Sequence, residues 1–168
     1  MNQKKVVLSL LVSNHFGVLT RVTNLFSRRG YNIISLSVGE TENPKFSRIT
    51  VVTSGDEAII RQIKRQCAKL EDVKAIQEVE KQELYMREVV LVKVRVTYMD
   101  EAEFMRFVAA NQAKAYRIEQ QLYMVEMCSS TQAVDAFIDK LEMFEIVEIA
   151  RTGGCALALS TATVYDER

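Results

Sequence analysis

Residues 6–38 read VVLSLLVSNHFGVLTRVTNLFSRRGYNIISLSV, and this stretch decides the fold. An apolar run, Val6–Val12, ends in a short polar loop that contains Asn14 and Gly17, and apolar residues then recur at helical spacing. The pattern predicts a buried strand, a tight loop, a helix that ends at Gly30, and a second strand. Because a helix begins directly after the loop, free backbone N–H groups and the positive end of the helix dipole are expected to meet there. The stretch therefore predicts a carboxylate-binding loop.

The composition is that of an ordinary globular protein and excludes several classes of function. The 168 residues include 22 basic and 22 acidic side chains, so the charge balance argues against nucleic-acid binding and gives little reason to expect an anionic membrane as partner. No apolar run approaches the roughly 20 residues that span a bilayer, and the first one is expected to be a buried strand, not a signal peptide. Three widely spaced cysteines and one histidine fit a reducing cytoplasm, without a disulfide framework or a zinc site. We therefore expect a cytoplasmic protein with no metal.

Two similar halves follow from the hydrophobic periodicity. After the second strand, Asn32–Val38, a hairpin loop with the only proline leads to a strand near Phe46–Thr53, a helix and a strand near Val73–Val79. Ser54 and Glu57 have the spacing of a capping box for that helix. The order βαββαβ within about 75 residues is typical of a ferredoxin-like domain.

The second half repeats this order by pattern, not by sequence identity. Its elements are predicted as a strand over Val89–Val96, a helix capped by Asp100, a hairpin of Lys114–Glu119 and Leu122–Cys128, a helix capped by Thr131, a strand over Phe144–Ala150 and a short extra strand within Ala156–Thr163. The fold class is therefore predicted as α+β, with two ferredoxin-like βαββαβ domains in tandem over residues 4–79 and 84–168. In each half both helices cover one face of an open sheet, so the other face and the edge strands need cover. This predicts a homodimer whose sheets meet edge to edge or face to face.

Five blocks of sequence carry a resemblance to a known family. SNHFGVLTRV at 13–22 is similar to the ligand loop of ACT domains. LFSRRGYNI at 25–33, SLSVG at 35–39, TENP at 41–44 and SRIT at 47–50 closely resemble the regulatory (small) subunit of acetolactate synthase, also called acetohydroxyacid synthase. Residues 87–94 and 144–153 resemble that family's C-terminal domain more loosely, so the resemblance covers nearly the whole chain and marks the first domain as an ACT domain.

The resemblance implies a regulatory role without chemistry in this chain. Members bind the catalytic (large) subunit of acetolactate synthase and raise its activity, and in many of them valine or another branched-chain amino acid binds at the ACT dimer interface and inhibits the holoenzyme. Feedback inhibition, with valine the expected effector, would then control valine, leucine and isoleucine biosynthesis. Thiamine diphosphate, Mg²⁺ and FAD are expected only in the catalytic partner, and no cofactor or catalytic residue is expected here.

The same resemblance, with the loop chemistry above, implies which residues bind the effector. They are Asn14, His15, Phe16, Gly17, Val18, Leu19, Asn32, Ile33 and Ile34. The amide oxygen of Asn32 would meet the ammonium group of the ligand across the dimer interface, and Ile33 and Ile34 would line its side-chain pocket, although one of the two is equally well a core residue. His15 stands where the family commonly has an acidic residue, and Leu159-Ser160 stands where it often has Arg-Gly.

Other interpretations of these residues stay open at this point. Taken alone, the loop is explained by Asn14 as a helix cap and Gly17 as a turn residue. His15 lacks an accompanying nucleophile motif, so we expect a solvated side chain and no catalytic base. The chain also lacks a phosphate-binding loop and an acid/base cluster, which argues against an enzyme. A stand-alone ACT-type amino-acid sensor that controls a different enzyme is the alternative function.

Overall fold

The computed structural model describes residues 4–80, 82–161 and 163–167, and its element order matches the predicted pair of βαββαβ repeats. The first repeat comprises β1 (Lys4–Ser13), α1 (Val18–Arg28), β2 (Ile33–Glu40), β3 (Phe46–Gly55), α2 (Glu57–Cys67) and β4 (Val73–Val79). The second comprises β5 (Leu84–Arg95), α3 (Glu101–Ala110), β6 (Lys114–Glu119), β7 (Leu122–Ser129), α4 (Thr131–Leu141) and β8 (Glu145–Arg151). A short strand, β9 (Cys155–Ala158), and a 3₁₀ helix, Val164–Glu167, follow.

The first sheet is antiparallel, with the strand order β2-β3-β1-β4. β1 lies between β3 and β4, which explains why it is apolar on both faces. One face packs against α1 and α2. The core on that face consists of Val6, Leu8, Leu10, Val12, Val18, Val22, Phe26, Ile49, Val51, Ile60, Ile63, Cys67 and Val73.

Helix α1 ends where the sequence predicts. Gly30 has φ 69°, the left-handed conformation that glycine adopts without strain. Its amide donates to the Ser27 carbonyl oxygen, and the Tyr31 amide donates to that of Phe26. These two bonds form a Schellman motif, which turns the chain back into β2.

The C-terminal segment (residues 154–161 and 163–167) packs against the other face of the first sheet through Val164 and Tyr165. Leu11, Ala75 and Val164 form a buried cluster, with Phe46 and Tyr165 packed beside it. The Leu159 amide donates to the Glu83 carbonyl oxygen, and the Ser37 hydroxyl donates to that of Gly154. The C-terminal segment thus covers apolar surface of its own sheet, the surface for which the sequence predicted a covering partner.

The chain accordingly divides into two compact units, residues 1–85 with 154–168, and residues 86–153. The structure differs here from the expected second domain of residues 84–168, because the chain returns to the first unit after residue 153. Sequence periodicity predicts β9 as a short strand but holds no information about where the residues after it pack.

The second unit has the strand order β6-β7-β5-β8 and a separate core under α3 and α4. Its buried carboxylate, Glu88, accepts hydrogen bonds from the Arg151 guanidinium and, at 3.1 Å, from the Thr131 hydroxyl. Arg151 also pairs with Asp135 at 2.8 Å. The network connects β5, β8 and α4, and it explains why a charged residue is tolerated inside this unit.

Two of the predicted helix caps are wrong. Ser54 belongs to β3, and the cap of α2 is Asp56, whose carboxylate accepts from the Ile59 amide at 2.8 Å. The cap of α4 is Ser130, one residue before the predicted Thr131. Asp100 caps α3 as predicted and accepts from the Glu103 amide. Among the described residues, no helix is long and apolar enough to span a membrane.

Candidate functional site

The loop between β1 and α1 exposes backbone donors at the beginning of a helix. Gly17 is the N-cap of α1 with φ 85°, and no side chain in the described ranges caps the helix there. The Val18 amide donates to the His15 carbonyl oxygen at 3.4 Å. The amides of Phe16, Gly17 and Leu19 donate to no acceptor within the described part of the chain. These three N–H groups, together with the α1 dipole, give the loop the positive polarity that a carboxylate ligand requires.

The loop taken alone suggested Asn14 as the helix cap, but the structure shows that Asn14 does not cap α1. Its side-chain amide donates to the Glu40 carboxylate and to the Pro44 carbonyl oxygen, both at 3.0 Å. Its backbone N–H donates to the Lys45 carbonyl oxygen at 2.8 Å. Asn14 therefore holds the loop against the hairpin between β2 and β3, and its side-chain oxygen has no donor among the described residues.

The same hairpin contacts the C-terminal segment of the first unit. The Tyr165 hydroxyl donates to the Glu42 carboxylate, and this hydrogen bond lowers the pKa of Glu42 and raises that of Tyr165. Because the Glu42 carboxylate is exposed, the bond is expected to add little stability.

The His15 side chain is more than half exposed, as expected, but it is also paired. Its Nε2 lies 2.9 Å from Asp72 Oδ1, and its Nδ1 lies 3.2 Å from the Phe16 carbonyl oxygen. The other carboxylate oxygen of Asp72 accepts from Arg21 Nε at 2.7 Å. One acidic residue from the α2–β4 connection thus binds both the loop and the first turn of α1.

The remaining loop residues divide between the core and the solvent. Val18 is buried among the core side chains, whereas Phe16 is completely exposed and Leu19 is more than a third exposed. An amino acid bound at the Gly17 turn would lie beside these two exposed apolar side chains, because they flank the free amides.

Asn32, Ile33 and Ile34 lie at the opposite end of the sheet from Asn14. Ser13 at the end of β1 is opposite Phe46, whereas Ile33 at the start of β2 is opposite Thr53, which pairs with Val6. Val6 and Ser13 are seven residue steps apart along β1, a distance of about 23 Å. Ile33 packs against the core, and Ile34 is 42% exposed. Within one chain, the structure therefore does not bring the two groups of predicted site residues together.

Metal binding gains no support from the described residues, which contain no group of three or more His, Cys, Asp or Glu side chains placed to hold an ion. Cys67, Cys128 and Cys155 are free, and burial raises the pKa of Cys67 to about 12. The groups that this site offers to a ligand are the free backbone donors of the loop and the side-chain oxygen of Asn14.

Comparison with known proteins identifies the family. The family described as "AHAS small subunit-like ACT domain" matches residues 8–75, and the family described as "Small subunit of acetolactate synthase" matches residues 87–160. The acetolactate synthase isozyme 3 small subunit of Salmonella typhimurium is 37% identical over 153 residues, which cover 90% of this chain and 94% of that protein. The chain belongs to the acetolactate synthase small-subunit family.

Relatives from distant sources agree with this assignment. The probable acetolactate synthase small subunit of Methanothermobacter thermautotrophicus is 34% identical, with 94% of this chain and 95% of that one covered. The crystal structure of the small subunit from Thermotoga maritima superposes with a TM-score of 0.87 at 34% identity and covers 95% of this chain and 99% of that chain. The fold of acetolactate synthase small subunits, with its N-terminal ACT domain, therefore extends over both units described above.

Sequence reasoning missed three residues that contact the loop, namely Glu40, Asp72 and Arg21. The fold itself contains a signal for Asp72. β4 pairs antiparallel with β1, so the residue before β4 must lie beside the residue that ends β1. The Ser13 amide indeed donates to the Asp72 carbonyl oxygen at 2.8 Å. Glu40 is two residues beyond the predicted end of β2, and its contact with Asn14 had no signal in the sequence.

Proposed function

We propose that this chain is the non-catalytic regulatory subunit of an acetolactate synthase. It binds the thiamine-diphosphate-dependent catalytic subunit, raises its activity, and transmits feedback inhibition by a branched-chain amino acid, with valine the expected effector. The observation that supports this proposal is the group of unpaired amides of Phe16, Gly17 and Leu19 at the start of α1, in a chain whose relatives are named acetolactate synthase small subunits. Thiamine diphosphate, Mg²⁺ and FAD belong to the catalytic partner in this proposal, which places the complex in the cytoplasm.

The effector site requires a second copy of the chain. One small amino acid cannot reach both Asn14 and Asn32 in one chain, because they lie at opposite ends of the sheet. β2 lies at one end of the strand order and exposes Ile34 and Val38. Antiparallel pairing of β2 with the same strand of a second copy places the Asn14 end of one chain beside the Asn32 end of the other. A twofold dimer then contains two equivalent sites.

Each group of the amino acid has a complementary partner in such a dimer. The carboxylate accepts hydrogen bonds from the Phe16, Gly17 and Leu19 amides at the positive end of α1. The side-chain oxygen of Asn32, contributed by the other copy, accepts from the ammonium group. The exposed Ile34 provides an apolar wall for a branched side chain. One methylene changes affinity by only about 1–3 kcal/mol, so valine, leucine and isoleucine are expected to compete.

Reconstitution tests this proposal. We expect the purified chain alone to condense no pyruvate and to increase the rate when it is mixed with the catalytic subunit from the same genome. Valine should lower that rate. Asn14→Ala and Asn32→Ala should each raise the half-inhibitory valine concentration about tenfold. Asn14→Ala removes the hydrogen bonds that hold the loop to Glu40 and Pro44, and Asn32→Ala removes the acceptor for the ammonium group. Asn24→Ala, an exposed asparagine within α1, is the matched control.

The outcomes separate the alternatives. A chain that neither co-elutes with the catalytic subunit nor changes its rate would favour a stand-alone ACT-type sensor of a different enzyme. Inhibition that is equal in Asn14→Ala, Asn32→Ala and Asn24→Ala would remove the first two from the effector site. Sedimentation that shows a stable monomer at micromolar concentration would contradict the dimeric site.

A further inference from the structure

Asp72 holds the candidate effector loop from outside the loop. Its side chain is only 15% exposed, and it lies in the connection between α2 and β4, remote in sequence from the loop. Its carbonyl oxygen accepts from the Ser13 amide, Oδ1 is paired with His15 Nε2, and Oδ2 accepts from Arg21 Nε. One residue therefore binds the end of β1, the loop and the first turn of α1.

Both loop contacts of Asp72 lie next to the unpaired amides. His15 immediately precedes Phe16, whose amide is free, and the His15 ring also reaches the Phe16 carbonyl oxygen. Arg21 Nη1 lies 3.8 Å from the position that a Cβ would occupy on Gly17. Because Asp72 contacts side chains on both sides of the Gly17 turn, these two contacts fix the direction of the amides between them.

We propose that Asp72 is the positioning residue of the effector loop: through His15 and Arg21 it holds the free amides of Phe16, Gly17 and Leu19 in the orientation that binds the effector carboxylate, and it does not contact the effector itself. The inference rests on the function proposed above. It assigns a role in effector affinity to a residue that lies outside the loop and outside the predicted site.

Simple electrostatics predicts that removal of the Asp72 charge strengthens effector binding, which is the opposite of what a positioning role predicts. A carboxylate near an anion site repels the ligand, so an Asp72 with no positioning role would weaken binding, and its removal would strengthen binding. In the structure Oδ2 of Asp72 is paired with the Arg21 guanidinium, whose positive charge offsets that repulsion, and Oδ1 contacts His15 Nε2. If positioning dominates, removal weakens binding.

The experiment measures valine binding to the full-length chain by calorimetry, well below its unfolding temperature. Asp72→Asn keeps the size of the side chain, but its one oxygen can accept from only one of His15 and Arg21, and its NH₂ group is a donor facing a second donor. We expect valine affinity to fall about tenfold. Glu71→Gln removes the same charge from the neighbouring exposed residue and should change affinity less than twofold.

A double-mutant cycle separates positioning from general stability. In a chain that already contains His15→Ala and Arg21→Ala, Asp72→Asn should have less than a twofold effect on valine affinity, because the contacts through which it acts are gone. Asp72→Glu keeps the charge and should therefore retain part of the valine affinity. This variant provides the measurement if Asp72→Asn proves too unstable.

Three results would decide against the inference. Binding by Asp72→Asn that is tighter than, or equal to, that of the original chain would show that positioning does not control affinity. An undiminished effect of Asp72→Asn in the His15→Ala, Arg21→Ala background would show that Asp72 acts by another route. If the original chain binds none of valine, leucine and isoleucine, the proposed effector function itself fails, and the inference fails with it.

Discussion

At the scale of single residues, the geometry of the loop between β1 and α1 depends on the backbone of Gly17. Its φ of 85° is strained for any residue with a Cβ, although an added Cβ would find space, with Arg21 Nη1 nearest at 3.8 Å. Gly17→Ala is therefore expected to lower the free energy of unfolding by about 1–2 kcal/mol through backbone strain alone. Denaturant titration followed by circular dichroism measures this change.

The matched control is Gly39→Ala, also in the first unit. Gly39 has no positive φ, and an added Cβ would meet no atom within 4 Å. That substitution should leave stability unchanged or raise it slightly, because alanine restricts the unfolded chain. Equal destabilisation by both variants would show that the conformation of Gly17 is not the source of the effect.

Burial distinguishes the three cysteines. Cys67 lies in the core of the first unit, where burial raises its thiol pKa to about 12, whereas Cys128 and Cys155 are exposed. The thiolate is the reactive form, and at pH 8 a thiol with that pKa is almost entirely protonated. A chromogenic disulfide reagent should therefore titrate two thiols in the native chain and three in denaturant. A third thiol that reacts at the rate of the other two in the native chain would contradict the buried position.

At the scale of elements, the start of α2 depends on Asp56 and not on Ser54. Both residues precede the same helix, but only the Asp56 carboxylate accepts a hydrogen bond from an amide of the first turn, that of Ile59. Asp56→Ala should lower the unfolding free energy by about 1 kcal/mol. Ser54→Ala, the natural control, should change it by less than about 0.5 kcal/mol. If thermal or chemical denaturation shows that Ser54→Ala destabilises the chain more than Asp56→Ala does, Ser54 is the cap, as the sequence predicted.

Hydrophobic periodicity and turn residues determine which element boundaries can be predicted from the sequence. β4 and β6 have the predicted bounds, and α1 ends just before the predicted glycine, Gly30. The ends of β6 coincide with turns, because Gln112 before it and Gln121 after it both have positive φ. The caps of α2 and α4 were misplaced, since several adjacent Ser, Thr and Asp residues can each cap a helix and only the folded geometry selects one. The free amides of the loop follow from the strand–loop–helix pattern, whereas its contacts with Glu40 and Asp72 depend on tertiary structure.

At the scale of the whole molecule, the return of the chain to its first unit has no counterpart in local sequence patterns. Residues 154–161 and 163–167 contribute one short strand and one 3₁₀ turn, which are too short for periodicity to show where they pack. Their position follows from the first sheet, in which Leu11 and Ala75 need cover on the side away from the helices, and Val164 provides it. The first sheet therefore has little apolar outer surface left for a face-to-face dimer, and the edge strand β2 is the better candidate for the dimer contact.

This packing makes Val164 a stability determinant of a domain that ends in sequence more than 80 residues earlier. Val164 is 1% exposed, and Leu159 in the same segment is 68% exposed. Val164→Asp would place an unpaired charge among Leu11, Ala75 and Phe46, so we expect the unfolding free energy to fall by at least about 3 kcal/mol. Leu159→Asp introduces the same charge at an exposed position and should change it by less than about 0.5 kcal/mol. Because the cluster belongs to the first unit, amide exchange in Val164→Asp should accelerate in β1 and β4 and remain unchanged in β7. Equal stability of the two variants, or faster exchange confined to β7, would mean that the C-terminal segment does not support the ACT domain.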